Sequence, residues 1–352
     1  MRREPVRRFP CWPLLSPLLV LTACGGGGRG SGGGPPTGPS GPTEPTYAVS
    51  VTVFYDENDN GLLDPDEASR VPLVDVAVGG ATAKSAPGTG VAVVSGVRAG
   101  TQMVSLRTES LPAYWVAGPP VSVPIPRTAE VRYPVALPVF NNKPNVYLGY
   151  GDSITDGEGS SDGRGYVIRL QNRLGPHFGR AEVLEWGRPG TMSREGATRT
   201  RLTLRWFYPA WVLIHYGTND WQDQVCQRQA ASTCFTIDAL RQIVEDVRAF
   251  HSLPVLATLI PVSPALAPAG RNQWIDDTNV GIRTLAREEG VLLADLNATF
   301  KSEGNLASLY SDDVHPNDAG YEVMARGWFT ALTQGRAAAS AARFRFGFSI
   351  GG

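Results

Sequence analysis

Asn145-Val146-Tyr147-Leu148-Gly149-Tyr150-Gly151-Asp152-Ser153-Ile154 decides how this chain folds. Its first half is a short apolar run of the kind that forms a buried strand. Ser153 follows at the strand's tip, just before a polar loop, Thr155-Asp156-Gly157-Glu158-Gly159-Ser160. Outward from this stretch, strand-like runs at 145–151, 181–186, 210–216, 254–260 and 291–296 alternate with helix-like runs at 165–175, 193–206, 236–251, 272–289 and 317–333. Such alternation predicts an α/β fold, a parallel five-stranded sheet covered by helices on both faces. Sheets of this kind bind ligands beyond the carboxyl ends of their strands. Ser153, Gly190 and Asn219 all fall just after strand ends, so they are expected to converge.

Serine needs a base to act as a nucleophile at neutral pH. His315 is the candidate, in Asp312-Asp313-Val314-His315, directly before a helix start at Pro316-Asn317. Asp312 would orient the imidazole and stabilise its cation, with Asp313 the competing carboxylate. A developing oxyanion needs donors: the Ser153 N–H, the Gly190 N–H in Gly187-Arg188-Pro189-Gly190, and the Asn219 amide in Gly217-Thr218-Asn219-Asp220. The other histidines, His177, His215 and His251, read as loop, strand-end and helix-end residues without chemistry.

In order along the chain, Gly151-Asp152-Ser153-Ile154-Thr155, the Gly187–Gly190 turn, Gly217-Thr218-Asn219-Asp220 and Asp312-x-x-His315-Pro316-Asn317 resemble the SGNH hydrolases, also called GDSL esterases or lipases. The resemblance covers residues 144–335. It implies a flavodoxin-like three-layer α/β/α fold, catalytic roles for Ser153, His315 and Asp312, an oxyanion hole at Ser153, Gly190 and Asn219, and no cofactor for catalysis. One departure lies before the second block, where many members carry asparagine and this chain has Glu185-Trp186. The nucleophile is not in a Gly-x-Ser-x-Gly elbow, which argues against the α/β-hydrolase fold.

The chain has 352 residues, a net charge of -1, and 18% charged residues. Near-neutral charge without a basic stretch beyond the N-terminus argues against nucleic acid as a partner. The N-terminus itself reads as an export signal over residues 1–24. Arg2, Arg3, Arg7 and Arg8 precede a short apolar run, Trp12 to Leu21. Leu21-Thr22-Ala23-Cys24 resembles a bacterial lipobox, which implies lipidation at Cys24 and a membrane anchor; the alternative is an ordinary cleaved signal. The resemblance to lipoproteins further implies that Gly25 after the cysteine, not an aspartate, fits outer-membrane sorting if the host is Gram-negative. Residues 25–46 are a Gly/Pro-rich tether, expected to be disordered.

Residues 47–139 read as a small β-sandwich. Val49, Val51, Val53 and Tyr55 alternate along one strand, and Val74, Val76 and Val78 along another. Val91–Val97 and Gln102–Leu106 are further strands, and prolines after 119 confine that part to edges and loops. Between the first two strands, Asp56 to Glu67 matches an oxygen-ligand loop, with Asp56, Asn58, Asn60, Leu62, Asp64 and Glu67 as candidate calcium ligands and Gly61 at the sharp turn. The alternative is a solvated acidic turn. This region resembles the prealbumin-like B-type repeats of bacterial surface proteins.

Cys226 and Cys234 lie close together in a polar stretch; outside the cytoplasm a loop-closing disulfide is expected, with free thiols or half a metal site as alternatives. The tail, 336–352, is Ala-rich and then Phe-rich and is open between an added strand and disorder. These features together point to an extracytoplasmic serine ester hydrolase, with acylated polysaccharide or a small ester as substrate and acetyl as the favoured group. Trp186 and Trp221 are candidate sugar-stacking walls. The alternatives are a lipase, lysophospholipase or arylesterase, or a non-catalytic adhesion lipoprotein whose function resides in the β region.

Overall fold

The computed structural model describes residues 44–228 and 234–335. The export signal with Cys24, nearly all of the Gly/Pro-rich stretch and the tail 336–352 lie outside the described residues.

The first part of the described chain is all β. Its strands are β1 (Thr46–Tyr55), β2 (Asp75–Val78), β3 (Ala81–Lys84), β4 (Val91–Arg98), β5 (Gly100–Leu106), β6 (Val116–Ala117), β7 (Val121–Ile125) and β8 (Val131–Ala136). They form two four-stranded sheets, ordered β4-β1-β8-β6 and β3-β2-β5-β7. The alternating valines of β1 and β2 are buried between them, together with Val94, Val97, Val104 and Tyr133. Burying one face of each sheet is what makes period-two sequences stable here. One expectation fails. Pro134 sits in β8, which runs between β1 and β6 and is no edge. β6 is only two residues long and pairs at Val135 and Ala136, so no ladder bond on that side needs an N–H at 134.

The second part alternates. It runs β9 (Lys143–Gly151), α1 (Ser153–Asp156), α2 (Gly165–Phe178), β10 (Glu182–Gly187), α3 (Ser193–Phe207), β11 (Pro209–His215), α4 (Gln224–Arg228), α5 (Thr236–Ala249), β12 (Leu253–Ala257), α6 (Arg271–Glu289), β13 (Leu292–Ala294), α7 (Leu296–Lys301) and α8 (Asp318–Gln334). The five strands are all parallel, in the order β10-β9-β11-β12-β13. This is the flavodoxin-like three-layer arrangement, and the chain reverses direction of winding between β9 and β11. β11 is buried along its whole length, because helices cover both faces. Val212 and Ile214 face one core with α5 and α6, while Trp211 and Leu213 face the other with α2 and α8. β12 ends at Ala257, short of the expected 260; Leu259 is held instead by the Asn279 side chain, which both accepts from its N–H and donates to its carbonyl. His177 lies in the last turn of α2 rather than in a loop.

Both parts share one continuous apolar core. Trp115 stacks on Phe178 with ring centroids 6.1 Å apart, and Tyr114 meets Trp211 edge-on at 5.7 Å. The Tyr114 hydroxyl donates to the Pro254 carbonyl and accepts from the Leu292 N–H, each at 3.2 Å. Arg70 N–H donates to the Phe178 carbonyl and Asn145 donates to Glu57. Asn145, Pro254 and Leu292 stand at or near the starts of β9, β12 and β13. The sandwich therefore grips the end of the parallel sheet opposite the edge where Ser153, Gly190 and Asn219 emerge.

Candidate active site

β9 delivers Ser153 to the sheet's carboxyl edge at the winding reversal. Asp152 caps the short α1 by accepting from the Ile154 N–H at 3.1 Å, which turns the chain sharply and leaves Ser153 at the helix's first position. Close packing below this turn explains Gly187. A Cβ there would strike the Asp156 N–H and the Asp152 carbonyl, so the end of β10 can lie against α1 only without a side chain.

Ser153 Oγ is 2.9 Å from His315 Nε2, and His315 Nδ1 is 2.7 Å from Asp312 Oδ2. The other Asp312 oxygen accepts from the Val314 N–H at 2.8 Å and the His315 N–H at 2.6 Å. Burial opposes this charge, yet the hydrogen bonds from the His315 backbone and ring and from Val314 hold the carboxyl below the usual carboxylate range. Asp312, not Asp313, therefore faces the imidazole. Asp313 turns away to Arg271, at 3.2 Å.

Asn219 reaches the same place. Its side-chain amide donates to the Thr191 carbonyl at 3.1 Å, next to Gly190, which takes φ +72° where a side chain would be strained. One Asn219 N–H is thereby engaged and the other remains for a ligand. Among the described residues the backbone N–H groups of Ser153 and Gly190 make no hydrogen bond. An oxyanion site needs such unspent donors.

Three groups here were not singled out by the sequence. Glu158 Oε2 lies 3.4 Å from His315 Nε2 at the exposed mouth of the site. Asp220, buried, accepts from the Ser193 N–H at 2.8 Å, the Ser193 hydroxyl at 2.6 Å and the Thr236 hydroxyl at 2.6 Å. It thereby pins the starts of α3 and α5 to the turn that carries Asn219. Its place in the Gly217–Asp220 block was the available signal. Arg271, buried in the first turn of α6, had none, because its partners are remote in sequence. Asp152 is fully buried, and burial pushes its carboxyl up to about 7. His215 is a buried strand-end residue; burial pushes its ring down to about 4.

The remaining candidates are packed against neighbouring side chains. Trp186 donates to Thr203 at 3.1 Å and packs on Phe207, with the Arg188 guanidinium over its ring at 4.5 Å. Trp221 packs on Trp274 at 5.7 Å. Both rings are half-buried. Cys226 and Cys234 form a disulfide with Cα atoms 4.6 Å apart.

In the Asp56–Glu67 loop, Asp56 accepts from the Asn60 and Gly61 N–H groups, and Glu67 from those of Glu57 and Asp64. The Asn58 and Asn60 amides both donate to Asp64 Oδ2. Short oxygen donors thus gather around one turn, a donor set that suits a hard cation. Among the described residues no group of three or more His, Cys, Asp or Glu is arranged to hold a metal ion.

Residues 150–323 match the GDSL-like Lipase/Acylhydrolase family. This stretch is a GDSL-type hydrolase domain. The chain therefore carries an ester-hydrolase domain of the GDSL/SGNH class, and the serine, glycine, asparagine and histidine blocks all fall inside the matched range. Among solved structures, the hydrolase domain is similar to the acetylxylan esterase Axe2 from Geobacillus stearothermophilus, with 23% identity over 54% of this chain and 95% of that one and a TM-score of 0.45. It is also similar to LAE5, an alpha/beta hydrolase enzyme from the metagenome of Lake Arreo, Spain, with 24% identity over 55% and 97% of the two chains and a TM-score of 0.46. No curated protein matches the chain.

Proposed function

We propose that the protein removes short acyl groups, acetyl above all, from carbohydrate esters through an acyl-enzyme on Ser153. The observation that carries the mechanism is the linked pair of contacts, 2.9 Å from Ser153 Oγ to His315 Nε2 and 2.7 Å from Nδ1 to Asp312. In this reading His315 Nε2 takes the serine proton as Oγ attacks the ester carbonyl. The oxyanion is met by the N–H groups of Ser153 and Gly190 and by the Asn219 amide. The imidazolium then protonates the departing alcohol, leaving acyl-serine. Water, deprotonated by the same nitrogen, releases the acid and restores the serine. Asp312 holds the ring in the Nδ1–H tautomer throughout.

A short acyl group is favoured by the loops around the serine. The exposed large apolar side chains of the described residues include Leu62, Phe140, Leu202, Trp206 and Leu266. None comes from 155–164, 188–192, 217–223 or 311–316, so among the described residues these four loops raise no apolar lid for a long chain beside Ser153.

The rest of the proposal concerns delivery. A lipid anchor at Cys24 and the tether to residue 46 would hold the enzyme outside the cytoplasm at a bacterial outer membrane or cell surface. The 47–139 region would be a prealbumin-like accessory domain, stiffened by calcium on Asp56, Asn58, Asn60, Leu62, Asp64 and Glu67. Its grip on the far end of the sheet favours a spacer over a part in the chemistry. Turnover of p-nitrophenyl esters of increasing chain length and of acetylated oligosaccharides, with Ser153→Ala alongside, tests the proposal. Acetate turnover that vanishes in the variant is expected. A chain-length optimum at long acyl groups would replace the substrate class, and a folded but inert wild type would move the function to the β region.

A further inference from the structure

Arg271 is a buried cation in an unfavourable place. Its side chain is 7% exposed, and it occupies the first turn of the nineteen-residue α6, where the helix dipole already presents positive charge. Burial pushes the guanidinium's pKa down; Asp313, Asp152 and Asp312 push it up. A guanidinium so placed needs compensating partners. Its two hydrogen-bond partners are both in the active-site loops. One is the Asp313 carboxylate at 3.2 Å; the other is the Thr218 carbonyl, at the long distance of 3.5 Å. Asp313 follows Asp312 and precedes His315 by two residues. Thr218 precedes Asn219. Ser263 N–H adds a bond to the Asp313 carbonyl at 2.9 Å, so the histidine loop is fastened on the same side by the segment leading into α6.

We propose that Arg271 is a positioning residue that ties the loop bearing Asp312 and His315 to the turn bearing Asn219, fixing the base and an oxyanion donor relative to each other. The inference rests on the acyl-enzyme reading of Ser153. The two loops come from different crossovers; Asp220 pins one to α3 and α5 and Ser263 fastens the other, and Arg271 is the side chain that bonds to both, so their relative placement depends on it, and small misplacements of reacting groups are costly. The paired aspartates then divide the work. Asp312 orients the ring, and Asp313 anchors the loop that carries it.

The test is steady-state kinetics on p-nitrophenyl acetate for Arg271→Met, Arg271→Lys, Asp313→Asn, Asn219→Ala and the double variant Arg271→Met with Asn219→Ala. Circular dichroism and thermal melts accompany each protein. Arg271→Met is expected to lower kcat by about 10²-fold with KM nearly unchanged. Lysine should recover only part of this, since it keeps the charge and loses the two-sided fork. Asp313→Asn should show a smaller loss of the same kind. Arg271→Met should cost much less in the Asn219→Ala background than alone, because one donor it positions is already gone. Full additivity in that cycle would overturn the proposal, as would an Arg271→Met kcat within about threefold of wild type. If Arg271→Met does not fold, Arg271→Lys and Asp313→Asn decide: wild-type kcat in both overturns it. Ser153→Ala separates the two levels. Its turnover persisting would sink the serine reading itself, whereas an inert Ser153→Ala beside an unimpaired Arg271→Lys and Asp313→Asn would sink only the role of Arg271.

Discussion

Replacing Asp312 with asparagine changes little in shape and much in proton placement. One carboxylate oxygen accepts from two backbone N–H groups, Val314 at 2.8 Å and His315 at 2.6 Å; the other accepts from His315 Nδ1 at 2.7 Å. An asparagine must keep its carbonyl oxygen on the two backbone donors, because the flipped amide would set NH₂ against both. Its NH₂ then faces Nδ1 and forces that nitrogen to be an acceptor. The ring proton moves to Nε2, which lies 2.9 Å from Ser153 Oγ and no longer has a lone pair to take the serine proton. Glu158, 3.4 Å from Nε2, would accept that proton's hydrogen bond and favour the wrong tautomer further. The same change in a serine protease triad costs about 10⁴ in kcat, which corresponds to about 5.5 kcal/mol of transition-state stabilisation. Because both backbone donors stay capped, the melting temperature should move little. Asp312→Ala is the contrast: it uncaps both half-buried N–H groups and so should lower the melting temperature, yet forces no tautomer. Steady-state turnover of p-nitrophenyl acetate, measured beside thermal melts, reads both. An Asp312→Asn enzyme with kcat within tenfold of wild type would refute the tautomer argument and the orienting role with it.

Asn219→Ala should lower kcat by about 10²–10³ as an oxyanion donor is lost; unchanged turnover would remove it from that role. Asp220→Ala leaves the Ser193 N–H and two hydroxyls unpaired in the interior, at about 1–3 kcal/mol for each buried group; urea melts should show a lower midpoint with an unchanged slope. Gly187→Ala drives a methyl into the Asp152–Asp156 backbone, so a loss of about 1–3 kcal/mol and a fall in activity are expected from the same preparation. Burial works against the Asp295 charge, but Arg283 pairs with both its oxygens at 2.8 and 2.9 Å, and the folded carboxyl lies below its ordinary value. A depressed folded value means stability that is present above the unfolded value of about 3.9 and is lost as pH falls through the lower folded value. Asp295→Asn should therefore be less stable near neutrality and lose less on acidification; parallel acid-side curves for variant and wild type would contradict this.

The layout was legible in the amino-acid pattern. Alternating strand and helix patterns set the parallel sheet, because strands covered on both faces must read as apolar runs like that of β11. The sequence also marked Ser153, Gly190, Asn219 and His315, since each stands in a short block whose residue types are dictated by local geometry and chemistry. Strand limits were less legible. β12 stops early because Asn279, twenty residues on, takes over the backbone of Leu259, and no local pattern announces a partner that arrives from another helix. Pro134 misled for a similar reason: whether an interior strand tolerates proline depends on how far its neighbour extends.

How groups distant in sequence share charge and space emerged from the folded chain alone. Asp312 and Asp313 are adjacent and chemically alike, and spacing alone ranks them poorly. Their division shows only in the fold, where Arg271 arrives from α6 to pair with Asp313 while Asp312 faces the imidazole. Glu158 beside Nε2 and Asp220 beneath Ser193 are placed by loop packing in the same way. The seat of the β-sandwich at the starts of the parallel strands was equally unreadable, because it depends on complementary surfaces such as Tyr114 against Trp211, and side-chain packing between elements leaves no periodic trace in either one.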